Sequence, residues 1–236
     1  MWILRRSGGI TAKKLAELCN CRTTKNYIPR RKHFIINYGK DYKYAHLNKK
    51  VIFNKLKAYE ILKEAEINQP KLYYKEDVIP DGAFPLLARK EYHSQGRDII
   101  YIHNREQLEN NLEYFMYDFL VKYINKTSEY RVHILGDKAL VNVKFCGEEV
   151  ADPIVRNHRN NWRQISYDRE FKDELVELAK KTIKALGYDF GAVDIIRKRN
   201  VLYVLEVNSS PGLEDRKLEE YKQYFKEEED KWLNSR

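Results

Sequence analysis

Strands that come in pairs, with helices between the pairs, constrain the fold of this chain more than any other feature. Apolar and polar side chains alternate over residues 130–135 and again over 138–144, beyond a Gly-Asp turn, which predicts a β-hairpin. A second hairpin is predicted from residues 189–198 and 201–207. Helical periodicity predicts helices over residues 51–67, 106–123 and 171–186. Hairpins separated by helices indicate an α+β protein with largely antiparallel sheets that helices cover.

The composition fits one domain or two small ones. Hydrophobic residues make up 43% of the 236 residues, enough to bury a core. The longest apolar runs, such as residues 201–207, are far shorter than the roughly 20 residues that span a bilayer. The three cysteines, Cys19, Cys21 and Cys146, form no C-x-x-C pair, which argues against a zinc ribbon or a disulfide scaffold. The first ten residues have no secretory-signal pattern, so we expect a cytoplasmic protein that does not bind a membrane.

The positive charge is concentrated at the amino end. The net charge is +9, but residues 1–60 hold fifteen Lys or Arg against three Asp or Glu, a balance of +12. Clusters such as Arg30-Arg31-Lys32 could bind nucleic acid or another polyanion; the alternative is a solvated surface that only raises the isoelectric point. Residues 10–21 resemble the first helix of a helix-turn-helix, although any short amphipathic helix has this pattern.

The second hairpin carries carboxylates where a buried sheet should have apolar residues. Alternation along its second strand places Glu206 and Asn208 on one face. If the hairpin loop has an odd number of residues centred on Asn200, Asp194 lies directly across from Glu206, with Cβ atoms roughly 5 Å apart. A two-residue loop would instead pair Asp194 with Leu205 and would point the carboxylates to opposite faces. The length of the loop therefore decides whether the carboxylates meet.

Two carboxylates at that distance repel each other unless a cation lies between them. Ligand sets made only of oxygen atoms select a hard ion such as Mg²⁺. The alternative is a solvent-facing strand end, where acidic residues cost little. The next four residues, Ser209-Ser210-Pro211-Gly212, have the pattern of a loop shaped around a ligand, which favours the cation site.

Residues 186–214, LGYDFGAVDIIRKRNVLYVLEVNSSPGLE, closely resemble the end of an ATP-grasp domain, particularly that of the RimK-type ligases and related bacterial and phage proteins. The pattern in that family is an Asp on one strand, Glu-x-Asn at the end of the next strand, and then Ser-Pro-Gly. The resemblance implies that Asp194, Glu206 and Asn208 bind two Mg²⁺ ions, or Mn²⁺ in their place, that bridge the phosphates of ATP.

Other segments resemble the nucleotide pocket of the same family. Residues 84–96 are similar to its strand and phosphate loop, with Arg89 at the position of a lysine and Lys90 as the nearby alternative. Residues 54–56 resemble its Asp-Lys-Leu helix, and residues 119–124 resemble the strand that binds adenine through its backbone. The resemblance implies twelve cofactor-binding residues: Lys55, Arg89, Lys90, His93, Ser94, Gln95, Gly96, Lys122, Tyr123, Ile124, Glu129 and Asn157.

Three further cations resemble catalytic residues of the family: Lys144, Arg156 and Arg131. Residues 155–157 are similar to a Phe-Arg-x-Asn region in which the arginine reaches the γ-phosphate and the acyl phosphate. Arg131 lies two positions after Glu129, which stands where the family has an acidic residue near ribose. The alternative for Arg131 is a cross-strand salt bridge, and the alternative for Arg156 is a surface loop with several basic residues.

The resemblance also implies the organisation of the chain, an ATP-grasp fold in which two α+β lobes with antiparallel sheets clamp ATP. A short basic amino-terminal lobe is expected over residues 1–49 and the ATP-grasp domain over residues 50–236. Within this domain we expect a small lobe over about 72–122, a large lobe over about 123–215 and a carboxy-terminal helix over 214–236.

The implied activity is the ATP- and Mg²⁺-dependent joining of a carboxylate to an amine through an acyl phosphate. Because the segment before Lys50 is short, a peptide or protein tail in an open cleft and a small enclosed substrate both stay open as acceptors. The charge of the first sixty residues points to an acidic partner there. Two alternatives are a non-catalytic nucleotide-binding scaffold that binds nucleic acid or another polyanion, and a kinase on the same fold.

Overall fold

The computed structural model describes residues 1–6, 9–26, 30, 32–92, 99–112, 117–146, 154–156 and 160–236. Its helices are α1 (Ile10–Leu18), α2 (Lys55–Glu64), α3 (Arg105–Leu112), α4 (Lys172–Ala185) and α5 (Asp215–Asn234). Its strands are β1 (Trp2–Arg5), β2 (Arg22–Thr24), β3 (Ile35–Tyr38), β4 (Leu72–Tyr74), β5 (Leu86–Arg89), β6 (Ile100–Ile102), β7 (Phe119–Lys122), β8 (Ser128–Leu135), β9 (Lys138–Cys146), β10 (Trp162–Ser166), β11 (Phe190–Lys198) and β12 (Val201–Asn208). No helix in these described ranges is both long enough and apolar enough to cross a membrane.

The largest sheet has five strands in the order β10-β9-β8-β11-β12, and every neighbouring pair is antiparallel. Both predicted hairpins are confirmed, as β8 with β9 and as β11 with β12. Helix α4 covers the sheet because its buried side chains recur at helical spacing. Leu175, Ala179 and Ile183 share one apolar cluster with Val132 of β8 and Val193 of β11.

A β-bulge sets the register of the second hairpin. Lys198 pairs with Val201, so only two residues form the turn. An irregularity next to Asp194 then leaves Leu205 without a partner, and Asp194 lies opposite Glu206. The prediction that a two-residue turn would separate the carboxylates is therefore wrong, because the bulge inserts the one residue that brings them back to the same face.

A four-stranded antiparallel sheet has the order β4-β7-β5-β6. The helix predicted over residues 106–123 is wrong in its second half, because β7 is an inner strand of this sheet. Phe119, Leu120 and Val121 are buried on successive positions, so both faces of β7 are covered. A continuous apolar run of this kind fits a buried strand as well as a helix, and periodicity alone does not separate the two.

The amino-terminal elements form a third sheet, β2-β1-β3, in which both strand pairs are parallel. Helix α1 is the crossover between β1 and β2 and packs against α5, so it is not the first helix of a helix-turn-helix. The parallel pairing was not predicted. Ile3 and Leu15 share a core with Phe190 of the large sheet and with Tyr221 and Phe225 of α5.

Candidate active site

Two adjoining cavities share one wall on the five-stranded sheet. The smaller cavity, of about 160 Å³, is lined by β5 and β7 on one side and by β8, β11 and β12 on the other. The larger cavity, of about 760 Å³, is lined by the end of β1, by β10, by the loop after β12 and by the first turn of α5. Four side chains line both cavities: Arg131, Lys144, Arg156 and Glu206. Ligands in the two cavities would meet at this shared wall.

Asp194 and Arg131 form a bidentate ion pair across β11 and β8. The two residues are paired in the sheet register, and Asp194 is only 4% exposed. The Nε atom of Arg131 donates to Oδ1 and its Nη2 atom donates to Oδ2, each at 2.6 Å. Burial disfavours the guanidinium charge, but the Asp194 carboxylate raises the pKa of Arg131 above its ordinary value. The cross-strand salt bridge, the alternative for Arg131, is present.

Glu206 is held by cations from two other elements. Its Oε2 atom lies 3.4 Å from Lys55 Nζ and 3.7 Å from an Nη atom of Arg89, and its side chain is 26% exposed. Asn208 Nδ2 donates to Glu206 Oε1 at 3.1 Å. Burial alone would raise the pKa of Glu206, but Lys55 and Arg89 hold it well below its ordinary value. Glu206 is therefore a carboxylate at neutral pH.

These ion pairs change the argument for a metal. Repulsion between Asp194 and Glu206 is offset by side-chain cations, so the closeness of the two carboxylates does not by itself require a metal ion. The chemistry of the donor set still fits Mg²⁺, because Asp194, Glu206 and Asn208 offer carboxylate and amide oxygens at the cavity wall. Within the described residues no group of three or more His, Cys, Asp and Glu side chains could hold a metal. Mg²⁺ typically completes such small sets with phosphate oxygens and water.

Glu129 is the centre of a second buried cluster. It is 3% exposed and pairs with Lys144 and with Lys126, whose Nζ lies 2.9 Å from its Oε2. Burial would raise the pKa of Glu129, but the two lysines hold it below its ordinary value. Lys126 also donates to the backbone carbonyl oxygen of Ile154, and Lys144 donates to that of Arg156, each at 2.8 Å. The cluster thus fastens residues 154–156 to the cavity wall.

The far end of the smaller cavity is mainly apolar. Leu87, Val121, Ile196 and Leu205 line it together with the three residues predicted near adenine, Lys122, Tyr123 and Ile124. Lys122 Nζ donates to the carbonyl oxygens of Ala83 and Phe84, at 2.7 and 2.6 Å. The Lys122 side chain is therefore tied to the loop before β5, and its aliphatic stem is the part that can contact a ligand.

The cations predicted to meet phosphate lie at different depths. Arg89 is 5% exposed, lies within 6 Å of the ring centroids of Tyr59 and Phe119, and lines the smaller cavity. Lys55 begins α2, where the N-cap Asn54 accepts a hydrogen bond from the Lys57 amide. Of these described cations, Lys90 lines neither cavity. Five predicted residues lie outside the described residues: His93, Ser94, Gln95, Gly96 and Asn157.

Arg156 lies at the junction of the two cavities, with its guanidinium carbon 4.4 Å from the centroid of the Trp162 ring. Arg156 is partly buried at this junction. The sequence reasoning missed Lys126 and three further cations of the larger cavity, Arg6, Arg163 and Lys217. Lys126 precedes Glu129 by three residues, a spacing that could have indicated an ion pair. Only the positive charge of the first sixty residues hinted at Arg6.

The fold and these cavities define an ATP-grasp protein, and comparison with protein families agrees. Residues 53–223 match the model of the RimK-like ATP-grasp domain. The chain belongs to this family. The sequence-based prediction of the family is therefore confirmed.

Two curated relatives are similar over part of the chain. A probable alpha-L-glutamate ligase of Histophilus somni (strain 2336) is 32% identical over 143 aligned positions, and the match covers 55% of this chain and 44% of that protein. Probable alpha-L-glutamate ligase 1 of Shewanella baltica (strain OS155 / ATCC BAA-1091) is 29% identical over 176 aligned positions, and the match covers 68% of this chain and 56% of that protein. The chain thus spans about half the length of the curated relatives it matches.

Two solved structures share the fold over almost the whole chain. D-alanine–D-alanine ligase from Bacillus anthracis superimposes with a TM-score of 0.71 at 16% identity, covering 99% of this chain and 98% of that chain. The ATP-grasp ligase PsnB, complexed with minimal precursor, Mg and ADP, gives a TM-score of 0.68 at 9% identity, covering 97% and 96%. These likenesses establish the ATP-grasp fold, as predicted.

Proposed function

We propose that this chain is an ATP- and Mg²⁺-dependent ligase that joins a carboxylate to an amine through an acyl phosphate. The observation that carries the proposal is the wall between the two cavities, where Arg131, Lys144, Arg156 and Glu206 face both. A nucleotide in the smaller cavity and a carboxylate in the larger one would bring their reacting groups together there. Family membership supports the same assignment.

In this proposal the smaller cavity binds ATP. The base lies against the apolar end formed with Lys122, Tyr123 and Ile124, and the ribose lies beside Glu129. The phosphates extend towards Arg89, Lys144 and Lys55. The predicted residues 93–96, with Asn157, stay candidates for the phosphate contacts.

Asp194, Glu206 and Asn208 would hold two Mg²⁺ ions, or Mn²⁺ in their place. A bound divalent cation would neutralise negative charge on the phosphate oxygens during transfer. Arg131 orients Asp194 through a bidentate ion pair, and Lys55 and Arg89 lie against the Glu206 carboxylate. The chain's own cations thus position the carboxylates that such an ion needs.

The reaction has two steps. A carboxylate oxygen of the substrate forms a bond to the γ-phosphorus of ATP while the bond to the β,γ-bridging oxygen breaks, and ADP leaves. The amine nitrogen then forms a bond to the activated carbonyl carbon, phosphate leaves with the carboxylate oxygen, and the amine loses a proton to solvent. Arg156 and Lys144 stabilise the charge on the transferring phosphoryl group. No protein side chain acts as a nucleophile.

The relatives' names suggest the substrate to test first, which is L-glutamate. A peptide or protein tail is the proposed amine acceptor, because the larger cavity has a volume of about 760 Å³ and Arg6 of the basic amino-terminal segment lines it. We also propose residues 1–49 as an amino-terminal lobe, 72–122 and 123–215 as the two lobes of the clamp, and 214–236 as the carboxy-terminal helix.

ADP release with Mg²⁺ across a panel of amino acids and peptides tests the proposal when amide products are followed by mass spectrometry. The proposal predicts ADP release in proportion to amide formed. Phosphorylated product without an amide would instead identify a kinase. Nucleic-acid binding that falls steeply with salt, with no ADP release under any condition, would identify a non-catalytic polyanion-binding protein.

A further inference from the structure

The three cations of the shared wall are held in different ways. Arg131 and Lys144 each form an ion pair with a buried carboxylate. Arg156 forms no ion pair with a carboxylate among the described residues. Its guanidinium carbon lies instead 4.4 Å from the centroid of the Trp162 ring. A tryptophan ring at this distance attracts a guanidinium but does not neutralise its charge.

The register of β10 explains how Trp162 reaches this wall. Gln164 of β10 lies opposite Lys144 of β9, and Trp162 lies two residues before Gln164. Side chains two residues apart on a strand point to the same face, so Trp162 and Lys144 share one face of the sheet. Both line the larger cavity. Strand β10 thus brings an aromatic ring to the wall that the cations line.

Arg156 is held at two points. Its backbone carbonyl oxygen accepts a hydrogen bond from Lys144 Nζ at 2.8 Å, and its side chain lies against the indole of Trp162. The Nε atom of Arg156 is buried and has no hydrogen-bond partner among the described residues. Hydrogen bonds at Nε therefore do not orient the guanidinium, whereas the contact with the indole does.

We infer that Trp162 is a positioning residue for Arg156, whose guanidinium it holds at the junction of the two cavities, where the γ-phosphate of ATP would lie. The inference rests on the proposed function for the place of the γ-phosphate, but binding alone can measure the coupling of the two side chains. A carboxylate in the place of Trp162 would compete with the phosphate for the N–H groups of the guanidinium. The indole orients Arg156 and leaves its positive charge to the ligand.

Calorimetric titration of the full chain with nucleotides and Mg²⁺ tests this coupling without turnover. The two probes are ADP and a non-hydrolysable ATP analogue, which differ in the γ-phosphate. The variants are Trp162→Leu, Trp162→Phe, Arg156→Met and the double variant of Trp162→Leu with Arg156→Met. Phe145→Leu is the control, because Phe145 belongs to the same sheet, is 54% exposed and lines neither cavity. Urea denaturation reports the stability of each variant.

We expect Arg156→Met to weaken binding of the ATP analogue by about 10- to 100-fold and to change ADP binding little, because it removes a charge-assisted hydrogen bond to the γ-phosphate. Trp162→Leu should weaken binding of the analogue by about 3- to 10-fold with the same selectivity. Trp162→Phe, which keeps an aromatic face, should retain most of the affinity, and Phe145→Leu should retain all of it. In the double variant, Trp162→Leu should add nothing to the effect of Arg156→Met.

Three results would overturn the inference. The first is wild-type affinity for the analogue in Trp162→Leu. The second is a loss in Trp162→Leu that is equal for ADP and the analogue, and the third is a loss that adds in full to that of Arg156→Met.

Tryptophan fluorescence supplies a second measurement, which needs no stable Trp162→Leu variant. The chain has three tryptophans, and neither Trp2 nor Trp232 lines either cavity. The ATP analogue should change the emission of the wild type more than ADP does, and Arg156→Met or Trp162→Phe should remove this difference. Equal changes with the two nucleotides in the wild type would contradict the inference. Failure of the ligase proposal would appear separately, as nucleotide binding without amide formation.

Discussion

The two cavities treat charge in opposite ways. In the smaller cavity the carboxylates are paired within the protein: Glu129 with two lysines, and Asp194 with Arg131. In the larger cavity seven Lys and Arg side chains are lined up against only two carboxylates among the described residues, Glu206 and Glu214. Under the proposed function, the nucleotide side is organised before any ligand arrives, and the ligand supplies negative charge to the other side.

The largest expected effect is at the wall that the cavities share. We expect Glu206→Ala to lower ATP turnover by at least about 10³-fold while the fold stays intact, because Lys55, Arg89 and the proposed Mg²⁺ all lose one carboxylate. ADP release measures ATP turnover, and circular dichroism reports whether the fold is intact. Glu219→Ala, an exposed position on α5, is the matched control and should behave as the wild type. ADP release by Glu206→Ala at the wild-type rate would refute the assignment of the site.

A second prediction concerns internal pairing in the smaller cavity. Glu129→Gln leaves Lys126 and Lys144 buried without a carboxylate, so the free energy of unfolding should fall by about 3–5 kcal/mol. Urea denaturation measures it. Glu219→Gln breaks an exposed pair with Lys222 and should cost less than about 1 kcal/mol. A loss below about 1 kcal/mol for Glu129→Gln would show that the cluster does not organise this cavity.

A third prediction concerns the contact between the end of the amino-terminal sheet and the loop over residues 209–212, which lines the larger cavity. Gly39 has a φ of +74°, and a Cβ atom there would lie 2.4 Å from Ser210 Oγ. Gly39→Ala should lower the free energy of unfolding by about 1–3 kcal/mol. Gly187→Ala is the control, because Gly187 has a φ of +69° but open space around it, so only the backbone cost remains.

The contact with Ser210 can be isolated by a double-mutant cycle. If it adds to the cost, Gly39→Ala should destabilise the protein more than Gly187→Ala does, and Ser210→Gly should remove the difference. Equal costs for the two alanine variants would mean that the loop over 209–212 is not fixed against β3 as described.

The smallest expected effect is a pH dependence of the free energy of unfolding, which one buried histidine causes. His133 is buried on β8 beside Tyr221, and burial, then Arg131 and Lys217, hold its pKa well below its ordinary value. Below pH of about 6.5 the unfolded chain therefore binds a proton that the folded chain does not. The free energy of unfolding should fall by up to about 1.4 kcal/mol per pH unit as the pH drops from there. His133→Gln should flatten this slope, and an unchanged slope would contradict the assignment.

The motif of Asp194, Glu206 and Asn208 could be predicted from the sequence because its three side chains lie within fifteen residues. The two-residue period of a β-strand also predicts which of them share a face. The bulge at Asp194 was not readable, because one extra residue in a strand leaves no compositional mark. Residues 117–122 were wrongly predicted as helix because a short apolar run fits both the period of a helix and that of a buried strand. Strands of three residues such as β2 are too short to show alternation, which hid the parallel sheet.

Arg6 and Lys217 were missed for a different reason. They lie more than two hundred residues apart, after β1 and on α5, and the tertiary fold brings both to one cavity. Arg89, by contrast, was found through its place in a contiguous resemblance. Local motifs therefore predicted most of the named residues of the smaller cavity, and long-range packing added residues to the larger one.

The central claim is that a carboxylate is activated by phosphorylation and then captured by an amine. The most direct test supplies L-glutamate labelled with ¹⁸O in its carboxyl groups, together with an unlabelled peptide amine, ATP and Mg²⁺. The account predicts one labelled oxygen in inorganic phosphate for each amide bond formed. Amide formation with unlabelled phosphate, or ADP release with all of the label still in L-glutamate, would contradict it.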